Sequence, residues 1–256
     1  MNNTQAASPR EEWHRLVGAT RRHIELETEF GMDRIPFNRD RVRQLRQQAR
    51  AAHPSSTTDP AAELASLQAV CADCRRCELG DTRTQIVFGE GNPHADLMLV
   101  GEAPGFHEDQ QGIPFIGPAG QLLTRIIEAI GLTRDKVYIG NVLKCRPPNN
   151  RTPLPNEAAA CMPFLKKQID IIRPRIIITM GNPATKNLLQ TQQGITRMRG
   201  RFIPWNGIEV MPTFHPSYLL RAPSEKKQVW EDMQKVWHRM KELGLEIGEL
   251  KSGKTS

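Results

Sequence analysis

The 256 residues contain no run of eighteen apolar side chains, so no membrane span is expected. There is no phosphate loop of the G-x4-G-K-S/T kind, which excludes the nucleotide hydrolases built on one. No G-x-G-x-x-G follows a strand, and no internal repeat is visible. Met1 to Arg10 is polar and lacks the apolar core of a secretory signal, so a cytoplasmic location is expected. Cysteine is scarce and odd in number, at five. In a cytoplasmic chain that argues against a disulfide framework and leaves metal binding, catalysis or burial.

What is present is a basic chain of ordinary apolar content. Hydrophobic residues make up 38% and charged residues 25%, with a net charge of +7. The length allows one large domain or two small ones. The positive balance permits contact with a polyanion without proving it. Residues 1–60 are rich in Arg, Gln and Glu and end in Pro54-Ser55-Ser56-Thr57-Thr58-Asp59-Pro60, a linker composition. They read as a flexible, solvated extension rather than a dedicated DNA-binding arm. Residues 61–243 read as the folded domain and 244–256 as a loose tail.

Within the domain, short apolar runs alternate with helical spacing. Leu97 to Val100, Val137 to Gly140 and Ile176 to Met180 are of strand length and stop at or near a polar turn. Ile86-Val87-Phe88 is a further candidate strand. Leu122, Leu123, Ile126, Ile127 and Ile130 lie on one helix face, and Val229, Trp230, Met233, Val236, Trp237 and Met240 on another. Asn156 and Asn182 read as helix caps. Asn206-Gly207 between Arg201–Pro204 and Ile208–Pro212 signals a hairpin. Alternating strands and helices predict an α/β fold: a single three-layer domain with a mostly parallel central sheet flanked by helices.

In such sheets ligands bind past the carboxyl ends of strands. The first strong strand runs directly into Gly101-Glu102-Ala103-Pro104-Gly105, then Glu108, Asp109 and Phe115. The glycines allow close backbone approach, Phe115 offers a flat face, and the acids offer carboxylates. Asn141 ends the next strand, and its amide has both a donor and an acceptor, enough to read a pyrimidine's O4 and N3–H edge. His215, in a loop after a later strand, can donate to a carbonyl oxygen. Each of these alone is more often a turn or cap residue; their combination at neighbouring strand ends points to a pocket.

Cys74-x2-Cys77, with Cys145 and Cys161, forms a set suited to tetrahedral sulfur coordination. Cys71 makes a second C-x2-C with Cys74, so two registers are open, as is the choice of zinc or iron–sulfur. Cys145 and Cys161 flank an irregular Pro/Asn/Arg loop. A metal there would pin that loop and present Lys144, Arg146 and Arg151 to a polyanion.

Three motifs carry a resemblance: Gly101-Glu102-Ala103-Pro104-Gly105, Asn141-Val142-Leu143-Lys144-Cys145-Arg146-Pro147-Pro148, and His215-Pro216-Ser217-Tyr218-Leu219-Leu220-Arg221. With Cys74-Arg75-Arg76-Cys77 they resemble the family 4, iron–sulfur, uracil-DNA glycosylases, over about Leu64 to Met240. The resemblance implies the uracil-DNA glycosylase fold and a monofunctional hydrolase. It would release free uracil from DNA, single- or double-stranded, leave an abasic site for base excision repair, and act as a monomer. It selects Cys74, Cys77, Cys145 and Cys161 as ligands of a 4Fe–4S cluster and leaves Cys71 as an extra. It places Phe115 on the uracil ring, Asn141 at O4 and N3, His215 at O2, and Gly101, Glu102 and Ala103 along the pocket. Leu219, Leu220 and Arg221 would form the wedge that fills the vacated stack. Better-known relatives carry Asp where this chain has Ala103, so another carboxylate must handle water: Glu108 first, Glu102 second, Asp109 third. Two other readings compete. A non-catalytic iron–sulfur module that binds DNA or senses lesions would not need Asn141, Phe115 and His215 together. A nucleotide-processing enzyme would act on free nucleotides with little salt dependence.

Overall fold

A computed structural model of the chain describes residues 59–251. The expected N-terminal extension therefore lies outside the described residues, but for Asp59 and Pro60. Those two start a helix. The Asp59 carboxylate accepts the backbone N–H of Ala61 at 3.2 Å, and Pro60, with no N–H to satisfy, takes the first helical position of α1 (Pro60–Ala72).

The elements that follow are α2 (Leu79–Thr82), β1 (Glu90–Gly91), β2 (Leu97–Gly101), α3 (Phe106–Gln111), α4 (Pro118–Ala129), β3 (Tyr138–Asn141) and α5 (Pro155–Ile172). Then come β4 (Ile176–Met180), α6 (Asn182–Leu189), α7 (Ile195–Met198), β5 (Ile203–Trp205), β6 (Ile208–Thr213), α8 (Pro216–Arg221) and α9 (Lys226–Glu242). The sheet order is β1-β3-β2-β4-β6-β5. The four inner strands are parallel and the two edge strands antiparallel, so the expected α/β architecture is the one found.

Both sheet faces are buried, and the period of two decides which side chain faces which layer. Met98, Val100, Tyr138, Ile177 and Val210 pack with α1, α5 and α6. Leu97, Leu99, Ile139, Ile178 and Met211 pack with α4 and α9. Behind the second layer Asp232 is fully buried, held by the Arg199 guanidinium at 2.6 Å and the Thr213 hydroxyl at 2.7 Å. No helix among the described residues is long and apolar enough to cross a membrane.

Four local expectations change. Ile86–Phe88 is not a strand; the Val87 N–H donates to the Lys144 carbonyl at 2.8 Å, and only Glu90–Gly91 pairs with β3. Leu154, not Asn156, caps α5, because Pro155 fits the first turn and the Glu157 carboxylate reaches back to the Leu154 N–H at 2.7 Å. Gly181, at φ 86°, takes the cap position expected for Asn182. The tail expected to be loose from 244 is fastened through 251. Ile247 is buried, Trp237 Nε1 donates to the Gly248 carbonyl at 2.9 Å, and the Lys251 N–H donates to the Ala129 carbonyl at 2.9 Å. The hairpin forms as expected, with Asn206 at φ 47° and Gly207 at φ 79°.

Candidate active site

Parallel pairing puts Gly101 at the end of β2 opposite Asn141 at the end of β3. Past these ends, and past the end of β6, opens a cavity of about 940 Å³. Glu102, Phe115, Asn141, Asn182, His215 and Tyr218 are among its walls. The three side chains expected to converge therefore do so. Ala103 also lines the cavity, but Gly101 lies behind it. A Cβ at Gly101 would run into Asn141 Oδ1 and the Phe115 ring, so the glycine is what lets these two side chains stand together.

Asn141 is 1% exposed, and its Oδ1 is the one buried side-chain polar atom without a hydrogen-bond partner among the described residues. Leaving a buried acceptor unpaired costs about 1–3 kcal/mol. A folded chain bears such a cost where a ligand supplies the partner. Phe115 has φ 54°, a left-handed conformation that disfavours a bulky residue and stores on the order of 1–3 kcal/mol. The Arg134 guanidinium holds it there, donating to the Phe115 carbonyl at 3.1 Å and the Pro114 carbonyl at 2.7 Å. The Phe115 and His215 rings lie 5.6 Å apart, tilted by 35°.

His215 precedes α8. The Ser217 backbone N–H donates to its Nδ1 at 3.1 Å, and the Ser217 hydroxyl lies 2.8 Å from the same atom. An N–H cannot accept, so Nδ1 holds the lone pair and the proton of the neutral ring sits on Nε2. Burial, reinforced by the Arg221 charge and partly opposed by Glu108, pushes the imidazole pKa down to about 4. At neutral pH the ring is an uncharged Nε2–H donor.

The three candidate carboxylates separate clearly. Glu108 accepts three backbone N–H groups, from Gly105 at 3.1 Å, Ile116 at 3.0 Å and Gly117 at 2.9 Å. It joins the loop after β2 to the start of α4. Asp109 is buried away from the cavity and accepts the Thr84 N–H at 3.0 Å. Glu102 is partly buried on the cavity wall, its carboxylate makes no hydrogen bond or ion pair within the described residues, and burial raises its pKa. Glu102 and Glu108 both line the cavity and Asp109 does not; Glu108 is engaged by backbone N–H groups, whereas the Glu102 carboxylate has no such partner.

The wedge also changes. Successive helical residues point about 100° apart. In α8, Leu219 is 1% exposed and belongs to the core, while Leu220 and Arg221 are exposed. Tyr218, at 37% exposed, joins them on the outside.

All five cysteines line a second, small cavity beside α1 and α5. Cys71 is thus at the site as well, not apart from it. Cys145 and Cys161 are buried, and Cys74 and Cys77 are partly exposed. Donors face the sulfurs: the Lys144 N–H meets Cys161 Sγ at 3.3 Å and Arg83 Nη1 meets Cys145 Sγ at 3.2 Å. Among the described residues no three His, Cys, Asp or Glu side chains converge as a single-ion site requires. Lys144 is fully buried, so it is not presented to a polyanion as expected. Its Nζ donates to the Asn141 carbonyl at 2.9 Å and to Gln168 Oε1 at 2.6 Å, both neutral. A buried ammonium without a carboxylate partner is costly unless an anionic group lies near. The thiols at the same cavity are where one would form. Arg151 is likewise engaged, in a two-bond pair with Glu157 at 2.6 and 2.8 Å.

A family model described as the uracil DNA glycosylase superfamily matches residues 88–238. The chain belongs to that superfamily. It is 48% identical over 172 residues to the type-4 uracil-DNA glycosylase of Sulfurisphaera tokodaii, covering 64% of this chain and 78% of that one. It is 47% identical over 172 residues to the type-4 enzyme of Saccharolobus solfataricus, covering 64% and 80%. Against the type-4 enzyme of Thermotoga maritima it is 47% identical over 175 residues, covering 67% and 91%. The superfamily match takes in every strand-end residue above, with Cys145 and Cys161, and begins after Cys74 and Cys77.

Within this superfamily member, two supporting residues escaped sequence reasoning. Ser217 sets the His215 tautomer. Its signal was available, since a serine two residues after a helix-capping side chain can bond back to it. Arg134 holds the strained Phe115 from nineteen residues away, and nothing in the sequence marks it.

Proposed function

We propose that this chain hydrolyses the N-glycosidic bond of uracil in DNA and releases the free base. The observation that carries the reading is the unpaired Oδ1 of buried Asn141 beside the Phe115 ring and a neutral His215 donor. The target base must leave the stack to reach such a pocket. Phe115 then stacks on the ring. Asn141 Oδ1 accepts N3–H and its amide N–H donates to O4. Cytosine reverses both, with an amino group at C4 and a lone pair on N3. His215 Nε2–H donates to O2, where negative charge grows as the base departs. Glu102 faces the positive sugar and orients the attacking water. DNA is gripped single- or double-stranded, by one chain acting alone in the cytoplasm, with Leu220 and Arg221 entering the vacated stack.

Incubation with uracil-containing and normal oligonucleotides tests this. Free uracil and an alkali-labile site are expected only from the first. Glu102→Gln should slow single-turnover release by about 10²–10⁴ with uracil-DNA binding kept. Glu108→Gln should instead lower the melting temperature, because three backbone N–H groups lose part of their acceptor.

The cysteine cavity fits a cluster in its donor set, its N–H donors to sulfur and a buried Lys144 whose hydrogen-bond partners are both neutral. We assign Cys74, Cys77, Cys145 and Cys161 as the residues that would hold 4Fe–4S, with Cys71 a fifth thiol alongside. Four thiolates are the donor set that such a cluster takes. Its contribution when bound is structural, tying the end of α1 to the loop after β3 and to α5. Cys145→Ser should lose iron, acid-labile sulfide and the brown visible absorption; an unchanged metal content would refute the assignment.

A further inference from the structure

The lip of the base pocket carries a pair that the excision mechanism does not use. Phe106, the first residue of α3, follows the cavity-lining Gly105 and is 51% exposed, more than the Tyr218 ring at 37%. Arg146 precedes the cavity-lining Pro147 and sets its guanidinium carbon 5.0 Å from the centre of the Phe106 ring. Arg146 Nε donates to Asn150 Oδ1 at 2.7 Å. Asn150 itself lines the cavity and has φ 54°, in a turn that its positive-φ neighbour Asn149 shares. The guanidinium is therefore held over the ring by its own loop, and the pair bridges the loops after β2 and β3. Unlike Arg151, Arg146 has no carboxylate partner among the described residues.

We propose that Phe106 and Arg146 form a docking step for the nucleotide adjoining the extruded uridine. The ring takes the face of the neighbouring base and the guanidinium takes its phosphate. Every base has a π face, so this grip is indifferent to sequence, as single-strand binding platforms are. A cation on an aromatic ring also suits a polyanion whose bases are unstacked, as they are beside a flipped nucleotide. A protein partner would find no such match between one ring, one fixed cation and the mouth of a base pocket. The inference rests on the uracil-excising reading given above.

The test uses the full chain and short single-stranded oligonucleotides with one uracil, compared with oligonucleotides whose nucleotides flanking the uridine are abasic spacers. Phe106→Ala should raise KM and Kd for the normal oligonucleotide by about five- to a hundredfold, with the single-turnover rate at saturation unchanged. Phe106→Trp should restore wild-type values. Arg146→Gln should weaken binding and lower the salt slope by about one. With spacers on the side that Phe106 contacts, wild type and Phe106→Ala should bind equally. Equal KM for the two proteins on the normal oligonucleotide overturns the proposal, as does a loss that persists with spacers on either side. A wild-type chain that releases no uracil from any substrate overturns the functional reading instead, so the two failures are distinct.

Discussion

Asn141→Asp is expected to slow uracil release and to admit cytosine, lowering the ratio of the two rates by at least about a hundredfold. The carboxyl group has no N–H to give O4, so an ionised side chain repels that oxygen. At a position 1% exposed, burial favours the protonated acid. Its O–H can then donate either to uracil O4, with the carbonyl accepting N3–H, or to cytosine N3, with the carbonyl accepting the C4 amino group, so the selectivity that the fixed amide imposes is lost. Folding should be little affected, because no described residue depends on the Asn141 side chain for a hydrogen bond. The measurement is the rate of free-base release from matched uracil and cytosine oligonucleotides, with a melting curve as control. An unchanged ratio of the two rates would remove Asn141 from base reading.

His215→Ala should slow release by about 10²–10³ with duplex and single-strand affinity largely retained, since the lost donor acts on charge that develops only in the transition state. Equal losses in binding and rate would instead assign the ring a folding role. The pH dependence follows from the same geometry. The folded imidazole takes up a proton only near pH 4, whereas the unfolded one does so near 6.5. Between these values the unfolded chain binds more protons, so stability falls as pH drops from about 6.5 to about 4 and this group adds no further loss below. His215→Gln should flatten that part of the melting temperature against pH. The excision rate should show no break at 6.5. Its acid limb should instead follow Glu102, whose carboxyl is raised above its usual 4.5 by burial, and should vanish in Glu102→Gln.

These two residues also show how far a sequence alone reaches. Asn141 and His215 were legible because each follows an apolar run of strand length, and strand ends of a parallel sheet face one side. Phe115 was legible as a flat face in a glycine-rich loop, but not its left-handed backbone or the arginine that enforces it. Glu108 and Glu102 are chemically alike in the sequence, and only the fold reveals that three amides converge on Glu108. Lys144 reads as one more surface cation between an asparagine and a cysteine, yet it is the most deeply buried charge of the cysteine region. In Leu219-Leu220-Arg221 the apolar character was visible, but which leucine faces the core depends on the helical turn they adopt.

The amino-acid order by itself determined the alternation of strands and helices, the parallel sheet and the residue types available at its carboxyl edge, because periodicity and turn chemistry are local. Which carboxylate stays free, which nitrogen of His215 bears the proton, and whether a fifth thiol shares the cysteine cavity were decided only by the tertiary structure. Hydrogen-bond partners and burial come from segments far apart in the chain, and no local pattern encodes them.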